Sequence, residues 1–183
     1  NILWKHFINM PNQLIIKTLI WSFIYGCIKF VNYAFFFWLP FYLNNGLGLS
    51  EKNSDLYSNI YDVGGIIGGF IGGYLIDKFP KKYRLSSIIF LLIFAVLFIG
   101  VFMIKIRTII LTNFLIFLIG ISISGPSDII GSLVPIDITS DNKNYKKYVS
   151  FVVGIIDGLA SLFSGLGQIF VGYISETYGW NYV

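Results

Sequence analysis

The sequence predicts an all-α integral membrane protein, and three observations carry that reading. Charged residues make up only 12% of the chain and hydrophobic ones 56%, whereas soluble domains carry about 25% charge. The apolar residues gather into five runs, each reaching the roughly 20 residues with which a helix crosses the hydrocarbon core. Those runs are continuously apolar instead of alternating with period two, which favours helices over barrel strands.

The first run, residues 19–43, is broken only by Lys29 and Asn32 and carries Pro40 near its end. The second, 55–77, is rich in glycine, and the third, 85–104, has no charge at all. The fourth, 108–138, is long and is expected to be interrupted at Gly125-Pro126, because proline removes a backbone donor and clashes with the preceding turn. The fifth covers 148–175, and residues 1–17 read as a linker ahead of a single domain over 18–183.

The loops set the orientation. One side receives Lys5, Lys17, Lys78, Lys81, Lys82, Arg84, Lys143, Lys146 and Lys147; the other receives Lys52, Lys105 and Arg107. Nine cations against three place the first side in the cytoplasm. The net charge of +4 is therefore a membrane signal; no basic stripe interleaved with aromatics points to nucleic acid. Five spans put the two ends on opposite sides, and the closing "TYGWNYV" reads as the approach to another helix. On that basis the chain is expected to be part of a larger bundle.

Glycines give the second span its character. Gly64, Gly68 and Gly72 form one row at four-residue spacing, and Gly65, Gly69 and Gly73 form a second beside it. Each glycine costs a helix about 1 kcal/mol relative to alanine. In lipid, close backbone approach supplies association in place of a hydrophobic drive, which explains why that cost is accepted. The fifth span repeats the device with Gly154, Gly158, Ser161, Gly165 and Gly172. Such faces serve either static packing or helices that rock past one another.

The end of the second span, Gly73-x-x-x-Asp77-Lys78-x-x-Lys81-Lys82, resembles a loop signature of the major facilitator superfamily, G-x-x-x-D-[RK]-x-G-[RK]-[RK], with Pro80 at the second glycine. The resemblance implies that Asp77 caps a neighbouring helix N-terminus, where negative charge is favoured, and that Lys78, Lys81 and Lys82 grip facing helix ends as a gate. It makes the five spans helices seven to eleven of a twelve-helix fold. Within the superfamily the chain is most similar to sugar-phosphate exchangers and glycerol-3-phosphate transporters. The stretches that carry this are "KFVNYAFFFWLPFYL", "DVGGIIGG", "SGPSDIIGSLVPIDI", "IIDGLASLFSGLGQ" and "YGWN". That family implies a secondary transporter exchanging an organophosphate for inorganic phosphate, with an N-terminal half as partner and an endoplasmic-reticulum membrane as location. Another organic anion, or a non-transporting scaffold or sensor, is the alternative.

Moving a phosphate monoester, which carries about two negative charges, requires cations deep in the bundle. Lys29 is the basic residue inside a span, too deep to snorkel comfortably to either surface. It belongs either to the substrate path or to a structural pair with an aspartate. In bacterial glycerol-phosphate transporters the corresponding cation precedes a tryptophan by six residues; counting back from Trp38 reaches Asn32 instead. Tyr33 and Asp128 complete the expected path. Asp62 and Asp157, each in a glycine-bearing span, are expected to act as interhelical ties or in a proton-coupled step, while Asp137 lies nearer the cytoplasm.

Metal, cofactor and enzyme chemistry find no support in the residues. His6 and Cys27 are single, "GGIIGG" lacks the G-K-[ST] ending of a phosphate-binding loop, and no nucleophile–histidine–acid set can be assembled. Trp21 and the Phe35–Phe37 run read as packing or lipid-facing aromatics, and Trp38 and Tyr42 as interfacial anchors.

Overall fold

A computed structural model describes residues 10–104 and 108–180. Lys5, His6, Lys105 and Arg107, together with most of the predicted linker, lie outside those residues. Helix α1 spans Asn12–Phe41 and widens into a π-helical turn over Tyr42–Gly46. Then follow α2 (Glu51–Lys78), α3 (Lys81–Met103), α4 (Ile109–Ser132), the short α5 (Val134–Ser140), a 3₁₀ segment (Lys143–Tyr148) and α6 (Val149–Thr177).

Two boundaries differ from the sequence reading for simple reasons. Helix α1 starts directly after Pro11, which suits a helix entrance because its missing N–H would be unpaired there anyway. Helix α3 likewise starts after Pro80, so Lys81, Lys82 and Arg84 form its first turn and are not a loop. The fourth span is not interrupted at Gly125-Pro126: α4 runs through both. Its break comes at Leu133, two residues before Pro135, whose ring cannot donate to the preceding turn.

Among the described residues, four stretches are long and apolar enough to cross a membrane: 12–46, 81–103, 109–140 and 143–177. Helix α2 matches them at 28 residues, about 42 Å of axis, but its six glycines and its charged first turns leave it less apolar. The helices pair as α2 with α4 and α1 with α6, while α4 also touches α1 and α3. Helix α4 is therefore the centre, and Ile116, Ile119, Ile123, Ile129 and Ile130 are almost wholly buried along it. Helix α3 presents Ile89, Phe90, Ile93, Val96 and Leu97 outward, as a lipid-facing helix must.

The glycine rows of α2 explain its position. A Cβ on Gly68 would lie 2.5 Å from the carbonyl oxygen of Ile121, and one on Gly72 would lie 3.1 Å from that of Gly125. Gly64 meets the Phe117 carbonyl more closely still, and Gly120 answers from α4 against the Tyr61 carbonyl. The second row packs under side chains: Gly65 under Ser124 and Gly69 under Asp128, while Gly73 faces open space. Helix α6 uses its glycines differently. Gly167 receives the Phe30 ring and Gly172 the Trp38 indole, but a Cβ on Gly154, Gly158 or Gly165 would meet no other element within 4 Å among the described residues.

Candidate functional site

Midway along α1, Lys29 is 8% exposed, a depth at which a lone ammonium would be very costly. Its Nζ donates to Asp157 Oδ1 at 2.7 Å and to Ser161 Oγ at 2.8 Å, both on α6. The rings of Tyr25 and Tyr33, one turn to either side on α1, lie 5.1 and 5.7 Å from the same nitrogen. That is cation–π distance. The cation is thus surrounded by one carboxylate, one hydroxyl and two aromatic faces.

Tyr25 extends the cluster to α4. Its hydroxyl lies 2.6 Å from where a Cβ on Gly131 would sit, so a side chain there would exclude it. From that place Tyr25 is within electrostatic reach of Lys29, Asp157 and Asp128. Of the expected path residues, Lys29 and Tyr33 therefore stand together with Asp157, and Asp128 stands nearby across Tyr25. Asn32 does not join them: it accepts a hydrogen bond from Tyr61 of α2 at 2.7 Å, and Phe35 stacks on the same tyrosine. Asp62, next to Tyr61, is exposed and makes no hydrogen bond or ion pair among the described residues.

The two partners of the central pair differ in surroundings. The Lys29 side chain is 9% exposed and that of Asp157 is 56% exposed. Gly154 and Gly158 leave open space on either side of the carboxylate. A half-exposed carboxylate at mid-span facing hydrocarbon would be very costly, so this strip of α6 belongs against water or polar protein. A second tie fixes α6 on α1 further along: Trp38 Nε1 donates to Gln168 Oε1 at 3.0 Å, and Gln168 Nε2 donates to the Phe30 carbonyl at 3.2 Å. Trp38, expected as an interfacial anchor, is thus a polar tie between α1 and α6. A cavity of about 290 Å³ lies beyond it, between α1, α3 and α6. Its walls include Phe30, Phe35, Trp38, Phe102, Met103 and Trp180 and carry no charge, so the cavity does not suit an anion.

At the basic end, acids answer the cations at the start of α3. Arg84 Nη1 donates to both carboxylate oxygens of Asp137, at 2.5 and 2.7 Å. Lys81 Nζ donates to the Asp137 carbonyl at 2.7 Å and to Asp141 Oδ1 at 2.7 Å. Lys17 of α1 closes the group on Asp141 Oδ2 at 3.0 Å. Cations in a helix's first turn oppose its dipole, and these acids offset that. Hydrogen bonds from Lys81 and Lys17 hold the Asp141 carboxyl below the usual carboxylate range. This joins residues 17, 81–84 and 137–141 at one end, the arrangement the charge count expects.

The rest of the motif lies apart. Asp77 is exposed and makes no hydrogen bond or ion pair among the described residues. The start of α6, preceded by Tyr148, has no side-chain cap among the described residues. Lys78 and Lys82 rest over the rings of Tyr74 and Tyr83, and Gly73 is open. Among the described residues, no group of histidines, cysteines and acids is arranged to hold a metal ion.

Comparison with known proteins agrees with this architecture. The sequence profile of the Major Facilitator Superfamily matches residues 2–144. The chain belongs to that superfamily. It is 36% identical over 91% of its length to "Sugar phosphate exchanger 3" of Gallus gallus, covering 33% of that protein. It is 35% identical over 85% of its length to "Putative glycerol-3-phosphate transporter 5" of Arabidopsis thaliana, covering 32% of it. A glucose-6-phosphate exchanger of Xenopus tropicalis is 33% identical over 85% of the chain and covered over 31%. The facilitator chain thus spans about a third of the length of these relatives. No solved structure was found to match it.

Proposed function

We propose that this chain is the C-terminal part of a secondary transporter that exchanges a sugar phosphate or similar organophosphate for inorganic phosphate by alternating access. The observation that carries the reading is the Lys29 cluster. A mid-span ammonium is paired with a carboxylate, and that carboxylate stands on an open, glycine-flanked strip of α6. Ionisable groups at such depth belong to a substrate or ion path. An ammonium with a neighbouring hydroxyl is suited to oxyanions, and Ser161 supplies that hydroxyl. The names of the relatives supply the substrate class, and an N-terminal half would supply further cations. Lys17, Lys81, Arg84, Asp137 and Asp141 would hold the basic end of this half as one body during the cycle. Asp77, Lys78 and Lys82 remain available to grip another segment. An endoplasmic-reticulum membrane is the location that the family resemblance favours.

The test is uptake of labelled phosphate into vesicles that hold the full-length protein and are preloaded with sugar phosphate. Lys29→Ala should lower exchange by about tenfold or more, the worth of a charge-assisted hydrogen bond to the substrate. Unchanged exchange would remove Lys29 from the path.

A further inference from the structure

We propose that Asp157 is a displaceable counter-ion: it holds Lys29 while the site is empty and gives it up to the incoming anion, which weakens anion binding and speeds release. The inference rests on the reading of Lys29 as a substrate cation. Three features of the geometry support it.

First, one member of the pair is fixed and the other is free to leave. Lys29 is almost buried between Tyr25, Tyr33 and α6, while the Asp157 side chain is more than half exposed. Among the described residues, no other element lies within 4 Å of the Cβ positions of Gly154 and Gly158, so the carboxylate can change rotamer without moving either helix. Second, Ser161 stays behind. Its hydroxyl donates to the Asp157 main-chain carbonyl at 2.8 Å, which leaves a lone pair for Lys29 at 2.8 Å whatever the carboxylate does. Third, the α1–α6 contact does not depend on the pair. Trp38 and Gln168, with Phe30 over Gly167 and Phe163 over Gly26, hold the two helices together when the bridge opens.

The energetic consequence is a competition. Any anion that takes Lys29 must displace a tethered carboxylate and then sit near its negative charge. Removing that charge should therefore tighten binding, the opposite of what losing an ordinary binding-site residue does. It should also leave Lys29 unpaired in the empty protein, a state that is unstable until an anion arrives.

The experiment uses the full-length protein in detergent and in vesicles, with inorganic phosphate and a sugar phosphate as probes. Asp157→Asn should bind both about tenfold or more tightly. Its thermal stability should be lower than wild type without phosphate and should rise more steeply with phosphate. In transport, KM and kcat should fall together because release slows. The double variant Lys29→Gln, Asp157→Asn guards against misfolding of the single one: it should regain wild-type stability and lose the response to phosphate. Binding by Asp157→Asn that is unchanged or weaker, with wild type still responding to phosphate, overturns the counter-ion and leaves the proposed function standing. A double variant as unstable as the single one overturns it too. A wild type that responds to neither probe overturns the anion site itself.

Discussion

Helices α2 and α6 carry the same sequence device, small residues four apart, and use it for opposite purposes. On α2, Gly64, Gly68 and Gly72 press against the main chain of α4, leaving no room for a methyl group at Gly64 or Gly68. On α6, Gly154 and Gly158 press against nothing among the described residues and leave a carboxylate standing in the open. Small residues in a membrane helix therefore mark two different needs: a seam closed to van der Waals contact, and a strip kept clear around a charge. Periodicity alone does not distinguish them. What does is whether an acid sits in the row, as Asp157 does between Gly154 and Gly158.

The largest effect expected from this contrast is at the seam. Gly68→Val would drive branched carbons into the Ile121 main chain, where neither helix can yield locally. It should cost about 3 kcal/mol or more, the upper end of overpacking penalties, read as loss of folded protein in thermal unfolding. A fully stable variant would mean the seam is looser than described.

A smaller effect belongs to the basic end, where acids are paired and not left open. The Asp141 carboxyl, held below its ordinary range by Lys81 and Lys17, stabilises this corner above the unfolded carboxylate's pKa of about 4 and loses that contribution as pH falls through the lower folded value. Its side chain is 44% exposed and both lysines are 47% exposed, so the contribution is at most about 1 kcal/mol. Acid unfolding of wild type and Asp141→Asn should therefore converge below about pH 4 and differ slightly above it. Parallel curves throughout would remove the carboxylate from the account.

The smallest effect is expected on the open strip. Gly158→Ala has room for its methyl group and gains helix propensity, so stability should be unchanged or up to about 1 kcal/mol higher. A large loss would show that the strip is packed.

Much of this was legible in the chain because the membrane imposes length and polarity on every span. The helices, the gathering of residues 17, 81–84 and 137–141 at one end and the close glycine seam of α2 follow from local patterns, and those patterns also single out Lys29 and Asp157. The partnerships do not, because they join residues far apart in sequence. Lys29 meets Asp157 across 128 positions and Trp38 meets Gln168 across 130, and no local spacing encodes either pairing. Asn32 shares a helix face with Lys29, yet a neighbouring tyrosine on α2 takes it. Ser161 enters the sequence pattern only as a small residue of the α6 stripe and Tyr25 not at all, although each lies four residues from a charged member of the pair, the spacing at which helix neighbours meet. Asp141 was hidden by the lysines that follow it in "DNKNYKK". Pro126 misled because a proline can sit within a buried helix when neighbours satisfy the freed carbonyl.

On the proposed function, the Gly154–Gly158 strip of α6 lines a water-filled substrate path and is not turned to lipid. It is tested most directly by Gly158→Cys in full-length protein whose native cysteines, Cys27 among them, are replaced, labelled with a charged, membrane-impermeant thiol reagent. Rapid labelling that sugar phosphate slows is expected, with Phe90→Cys on the outer face of α3 unlabelled under the same conditions. If the Gly158→Cys thiol is as inert as the Phe90→Cys thiol in every transport condition, the strip faces lipid or packed protein, and the proposed path is contradicted.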